Sequence, residues 1–300
     1  MSRRLASALL VALLMAVPVR AIAQEATPVP NAGVDLLTDL GLPEFAVTLT
    51  DTDSTVPADA PAGRLLVRVD NQRDAPSNTG FVQFPPGTTA EQALKDMQSN
   101  LEEGPDWFYE SVFAGGTIGT PSSEASVVVD LAPGDWYVII DRFNPDGSDE
   151  GALDEIKPLK VTGEAPPAED IAGAIDIVLF DFGFDTPDVL PAGPQIWHLR
   201  NGGSQLHFMD FYRVPDSTTR DQVMQVLTFD ESLGTPPPPD MISPDAFEEL
   251  FTAQDISAGQ SVWIAVDLEP GTYVALCFIT DRESGMPHAL MGMTEIFTVT

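Results

Sequence analysis

The sequence predicts an all-β protein made of two tandem β-sandwich domains, each carrying one short helix. Three observations predict it. First, 27 prolines and 23 glycines in 300 residues punctuate short apolar segments rich in β-branched and aromatic residues, the pattern of short strands between turns. Second, the chain repeats itself: residues 47–71 align without a gap to residues 177–201, with identities that include Leu49/Leu179, Asp51/Asp181, Gly63/Gly193 and Asn71/Asn201. Third, a hydrophobic content of 43% is ample for packed cores and argues against disorder.

Residues 1–23 read as a signal peptide. Arg3 and Arg4 form the positive region, residues 5–17 the apolar region, and Ala21-Ile22-Ala23 a small-residue cleavage site. The apolar run is too short for a membrane span, and no later stretch qualifies. Ser2-Arg3-Arg4 faintly resembles a twin-arginine signal, although Ala6 replaces the usual aromatic. The expected location is therefore secreted or periplasmic. Residues 24–43 form a Pro/Ala-rich flexible leader with a short turn expected at 36–42, residues 44–163 a first domain, residues 164–170 a Pro-rich linker and residues 171–300 a second domain.

Each half shows the same order of elements. Two strands come first, at 45–50 and 65–70 and again at 175–182 and 196–200. A third follows at Phe81 or Phe208, on a second match that pairs Phe81-Val82-Gln83-Phe84 with Phe208-Met209-Asp210-Phe211. A helix then opens at Thr89 or Thr219 with Gln92 or Gln222 three residues on, a capping-box signature. Ala93, Leu94 and Met97 give the first helix its apolar face, as do Val223, Met224 and Leu227 in the second. A long excursion leads to a hairpin across Pro133-Gly134 or Pro270-Gly271, and a last strand closes each half.

The formal net charge of −32 becomes more negative once Arg3, Arg4 and Arg20 leave with the signal peptide. Such a surface repels nucleic acid and anionic membranes. It suits a basic partner, or serves solubility alone. The acidic run Asp146, Asp149, Glu150, Asp154 and Glu155 lacks the EF-hand spacing and reads as a solvated face.

The legible chemistry lies near the C-terminus. Cys277 sits at the far end of a strand that starts at Thr272, and His288 and Met293 follow on the next loop. A single cysteine in an exported chain makes no internal disulfide. It is then an intermolecular bridge, a buried inert thiol or a metal ligand. Thiolate, imidazole and thioether on one loop are three of the four ligands of a blue-copper centre. The fourth, a second imidazole, comes from a short supply: His198, His207 and His288 are the three histidines.

Asn201-Gly202-Gly203-Ser204-Gln205-Leu206-His207 resembles the Asn-to-His segment of cupredoxins, the plastocyanin-like blue copper proteins. Cys277, His288 and Met293 resemble the family's Cys…His…Met loop. The Cys-to-His interval departs from plastocyanin and is similar to the longer loop of copper nitrite reductases. The resemblance covers roughly residues 171–300. It implies a cupredoxin-like Greek-key sandwich in each half and one type 1 copper ion held by His207, Cys277, His288 and Met293, with Met291 competing for the axial place. His198 alternates with Trp197 and Leu199 and reads as a surface strand residue. On the Phe81/Phe208 pairing, Gly80 takes the place of His207; counting from the Pro-Gly turn, Ile140 takes that of Cys277. The first half therefore has the scaffold and no ligands.

Bland alternatives exist for each residue. Cys277 could be a buried small hydrophobe, His207 a loop cap and Met293 core filler. Three functions follow: an exported one-electron carrier docking a basic redox protein, a copper-storage module that never cycles redox, or a metal-free tandem sandwich that binds a partner. An enzyme is not expected, because three histidines do not furnish a multicopper cluster and Leu276 stands where nitrite reductases carry a histidine.

Overall fold

The computed structural model describes residues 36–98, 104–143, 152–167, 169–187, 189–229 and 236–300. The expected signal peptide and the start of the leader lie outside the described residues, as do Asp146, Asp149 and Glu150. The first half contains β1 (Glu44–Leu49), β2 (Ser54–Thr55), β3 (Asp59–Pro61), β4 (Gly63–Asn71), β5 (Ser77–Gln83), α1 (Ala90–Met97), α2 (Asp106–Glu110), β6 (Val112–Gly119), β7 (Ser123–Leu131), β8 (Gly134–Arg142) and β9 (Ala152–Thr162). The second contains β10 (Ile175–Phe180), β11 (Gly183–Asp185), β12 (Val189–Leu190), β13 (Gly193–Asn201), β14 (His207–Val214), α3 (Arg220–Thr228), β15 (Glu248–Ile256), β16 (Ser261–Leu268), β17 (Gly271–Leu276), α4 (His288–Met291) and β18 (Thr294–Val299).

The all-β class holds. Alternating burial along β1 and β13 shows why: one face of each strand meets a partner sheet, as period-two patterning requires. One sheet runs β11-β10-β13-β16-β7-β4-β1-β2, the other β12-β18-β17-β14-β15-β6-β5-β8-β9-β3. The two halves thus share both sheets, joined where β16 pairs with β7 and β15 with β6. Leu65, Val67, Val129, Leu199, Phe211 and Phe297 belong to one core running through both.

The halves use the same registers. Phe45 faces Val67 and Ile175 faces Trp197 in parallel pairs; Thr48 faces Thr55 and Val178 faces Asp185 in antiparallel ones. Residues displaced by 130 are equivalent. This corrects one sequence alignment. Gly80 opposes Ile139 and Thr79 opposes Ile140, whereas Asp210 opposes Leu276. Counting back through these ladders, the equivalent of His207 is Ser77, not Gly80, and the equivalent of Phe81 is Phe211. Both of those rings are fully buried. The Phe-x-x-Phe match was a coincidence three residues out of register.

The expected Pro-Gly hairpins are also corrected. β7 and β8 lie in different sheets, as do β16 and β17. Each Pro-Gly carries the chain across the sandwich. A ring clamps each corner to a carbonyl four residues back: Trp136 Nε1 donates to Ala132 at 2.8 Å, and Tyr273 Oη donates to Glu269 at 2.7 Å.

Three smaller expectations change. Residues 36–42, expected within the flexible leader, pack Leu37 fully buried against Leu66, Val128 and Trp263. α1 keeps the Thr89 cap, but Gln92 turns its side-chain amide to Asp96 and leaves the expected box half closed, and the helix buries Ala93 while Met97 is 44% exposed. α3 carries the full capping box of Thr219 and Gln222, as expected, but buries Val223 and Val226 rather than the expected Val223, Met224 and Leu227. No helix among the described residues is long and apolar enough to cross a membrane.

Candidate metal centre

The segment before β14 is folded by one buried side chain. Asn201 Nδ2 donates to the carbonyls of Gln205 and Ile256, both at 2.7 Å, and its Oδ1 accepts from the Gly203 amide at 2.8 Å. The loop closes on itself and delivers His207 to the first position of β14, with its side chain fully buried. Gly203 is required here: a Cβ on it would strike Asp181 Oδ1 and approach His207 Nε2 to 3.0 Å.

Cys277 follows the last residue of β17. Its amide donates to Met293 and its carbonyl accepts from Ala289 at 2.7 Å. These two bonds fold the His288 segment back onto the cysteine. The ten residues between Cys277 and His288 do not push the histidine away. His288 N donates to Ile279 O at 2.8 Å, Thr280 bridges Pro287, and Asp281 N donates to Met286 O at 2.9 Å. Those bonds make a neck, and residues 281–286 project beyond it. Arg282 of this projection pairs with Asp106 of α2 and lies over the Tyr109 ring at 4.8 Å.

His207, Cys277 and His288 come together, all fully buried, with ligand atoms within 4.8 Å of one another. Cys277 Sγ lies 3.8 Å from His288 Nδ1 and 4.0 Å from His207 Nδ1, and the two Nδ1 atoms are 3.2 Å apart. Metal–nitrogen bonds of about 2.0–2.1 Å and a metal–sulfur bond of about 2.3 Å can span these separations with bent angles, so one ion reaches all three atoms.

The outer nitrogens are already engaged. His207 Nε2 lies 3.1 Å from Asp181 Oδ1, and His288 Nε2 lies 3.0 Å from Gln205 Oε1. Both partners are acceptors, so each imidazole carries its proton on Nε2 and turns a bare Nδ1 lone pair inward. Gln205 is held in turn by Asp281 Oδ2 at 3.2 Å.

Electrostatics agree. Burial lowers His288, assisted by neighbouring His207, to about 4. Burial also lowers His207, against the pull of Asp181. Both rings are neutral at neutral pH. Burial pushes the Cys277 thiol up to about 12, opposed by the amides of Phe208 and Ile279. Burial works to raise Asp181, but hydrogen bonds from Ser204, Gln205 and His207 win and hold it at about 2. Two lone pairs and a thiol thus face each other in a dry space, which fits a soft or borderline cation better than it fits packing alone.

Met293 is fully buried in the core cluster that contains Cys277. Met291 is half-buried, and its sulfur accepts from the Ser284 hydroxyl at 3.3 Å. His198 stands apart, stacked on Trp263 at 4.4 Å and bonded to Asp176 at 2.8 Å.

No family model matches the chain, and no curated protein matches it. Among solved structures it is similar to auracyanin from Roseiflexus castenholzii, with 22% identity over 44% of this chain and 99% of that one, at a TM-score of 0.28. Auracyanin B gives 20% identity over 44% and 92%, also at 0.28. A multi-copper oxidase from Pediococcus acidilactici gives 13% identity over 87% of this chain and 59% of that one, at 0.23. The expectation that the protein is not an enzyme is corrected at this point. Three multicopper oxidase structures extend over 87%, 86% and 85% of the chain, and that breadth overturns the exclusion.

The sequence did not reveal what fills the matching space in the first half. The equivalent of Gly203 is Arg73, which is 1% exposed. Its guanidinium donates to Thr50 O and Ser54 Oγ, both at 3.0 Å, and pairs with Asp154 at 3.3 Å and Glu155 at 3.4 Å. Ser77, the counterpart of His207, lies 3.4 Å from it. A fixed cation stands in one half beside the place where the other half gathers nitrogen and sulfur.

Proposed function

We propose that the protein binds one copper ion through His207 Nδ1, His288 Nδ1 and Cys277 Sγ, with Met293 as a weak axial ligand, and handles electrons one at a time. The observation that carries this is the pair of inward Nδ1 lone pairs beside a buried thiol, each ring locked by an acceptor on its far nitrogen. Copper bound there would supply a one-electron couple, because two imidazoles, a thiolate and a distant thioether suit both oxidation states.

The protein's part is positional. Asp181 and Gln205 orient the rings, the Phe208 and Ile279 amides favour the thiolate form, and the surrounding core excludes water. Met291 is not chosen for the axial place because its sulfur is turned to Ser284. Residues 171–300 would carry the site and residues 44–163 would support it. The acidic surface suits a basic redox partner, and the signal peptide at residues 1–23 suits export.

Adding Cu(II) to the purified protein should give an intense visible absorption band that Cys277→Ser abolishes. Oxygen uptake by the same sample with a reductant present reports whether it also acts as an oxidase. A colourless protein whose melting temperature copper leaves unchanged ends the proposal.

A further inference from the structure

On the outer face of the ten-stranded sheet, where the two halves meet, lies a cavity of about 110 Å³. Trp107 and Phe108 of α2 and Phe113 of β6 wall it, and Asn78, Asp141 and Asp255 give it polar groups. Asn78 is only 7% exposed. Its Nδ2 donates to Asp141 Oδ2 at 2.8 Å, while its buried Oδ1 has no partner. An unpaired buried amide oxygen costs about 1–3 kcal/mol. Among the described residues no basic side chain acts on either carboxyl.

We infer that this cavity binds a primary ammonium group borne on a short apolar chain. Such a head presents three N–H donors, and the cavity offers three acceptors in Asp141, Asp255 and Asn78 Oδ1. Its charge compensates the carboxylates through charge-assisted hydrogen bonds, and the aromatic walls attract a cation and shelter its hydrocarbon. A calcium ion asks for six to eight oxygens, more than these three side chains provide in an aromatic enclosure. A quaternary ammonium has no N–H and would leave Asn78 Oδ1 unpaired.

The present balance of charge is consistent with this. Burial, reinforced by the charge of Asp141, raises Asp255 to about 7; burial raises Asp141 to about 6. Without a cation these groups retain protons far above the usual carboxylate range. The cavity lies near the candidate metal centre in the sheet: Asp255 precedes Ile256, which opposes His207. The inference needs no metal and stands apart from the copper reading.

The test uses the metal-free, full-length protein at about pH 8, where both carboxyls are ionised. It is titrated separately with n-butylammonium chloride, butan-1-ol and calcium chloride at matched ionic strength, following tryptophan fluorescence and binding heat. Saturable butylammonium binding at least about tenfold tighter than butanol is expected, and Asp255→Asn should weaken it by a similar factor without lowering the melting temperature. Equal responses to butylammonium and butanol would overturn the inference, as would no saturation, tighter calcium binding, or unchanged affinity in a folded Asp255→Asn protein. If that variant fails to fold, the amine and alcohol titrations of the unaltered chain decide alone.

Discussion

His207 Nδ1 and His288 Nδ1 stand 3.2 Å apart with no proton to share, because Asp181 and Gln205 hold the proton of each ring on its far side. Two acceptors at hydrogen-bond distance repel one another unless an electron-pair acceptor lies between them. That contact is the most informative distance in the molecule.

Weakening the outer hydrogen bonds should therefore weaken metal binding without touching a ligand. Asp181→Asn and Gln205→Leu should each reduce copper affinity about 10–100-fold, read by competition with a chelator. Cys277→Ser should remove the visible band entirely. Arg282→Ala should leave band and affinity unchanged, since its pair with Asp106 is largely exposed and such pairs contribute less than about 1 kcal/mol.

Copper binding should release one proton from Cys277. The thiol is held at about 12 by burial, so it is protonated in the metal-free protein, whereas the ligand is a thiolate. His288 sits at about 4 and His207 is lowered too, so neither ring competes at neutral pH. Apparent affinity should rise about tenfold per pH unit between about pH 6 and 9. Calorimetry in buffers of different ionisation heat counts the proton directly.

Metal-free stability should carry opposing pH contributions from Asp181, the buried carboxyls and the buried histidines. Asp181 has its folded pKa depressed to about 2. It contributes stability that is present above about pH 4 and is lost as pH falls through about 2. Its side chain is 31% exposed, so after allowance for solvent screening the contribution is about 1–2 kcal/mol. Asp255 and Asp141 act oppositely. Their folded pKa values are raised, to about 7 and about 6, so their contribution falls as pH climbs from about 4 to 7, while His288, lowered to about 4, and His207, lowered too, contribute stability that grows as pH rises towards about 6.5. Thermal melts compared with the unaltered protein should separate the groups: Asp181→Asn should flatten the loss of stability below about pH 4, and Asp255→Asn should gain stability relative to the parent as pH rises from about 4 to 7.

Arg73→Met should destabilise the protein by about 3 kcal/mol, because it strips Asp154 and Glu155 of a buried partner. The urea midpoint should fall while copper affinity and the visible band stay as they were. A loss of the band on this substitution would show that the two halves do not hold their centres independently.

The equivalences that came through a gapless run of residues were legible: Asn71 with Asn201, Asp51 with Asp181, and the Thr-x-x-Gln helix caps. Local chemistry dictates those, and an Asn that closes a loop does so in both copies. The match of Phe81 to Phe208 failed because two phenylalanines three positions apart recur by chance, and only the ladder against β8 or β17 counts register. The Pro-Gly turns misled for a related reason. The dipeptide specifies a reversal, but whether the next strand pairs with its neighbour or crosses to the other sheet depends on which sheet buries Trp136 or Tyr273.

By itself, the sequence determined the all-β class, the internal repeat, and the four residues in which soft-metal chemistry could reside, because composition and spacing are properties of the chain alone. The tertiary structure decided whether those residues meet. The neck at Thr280 and Pro287 brings His288 back to Cys277, Asp181 and Gln205 choose the ring tautomers, and Arg73 occupies the matching place in the other half. Each of these is a contact between residues far apart in sequence, set by how the shared sheets align, and no local pattern encodes a distance of that kind.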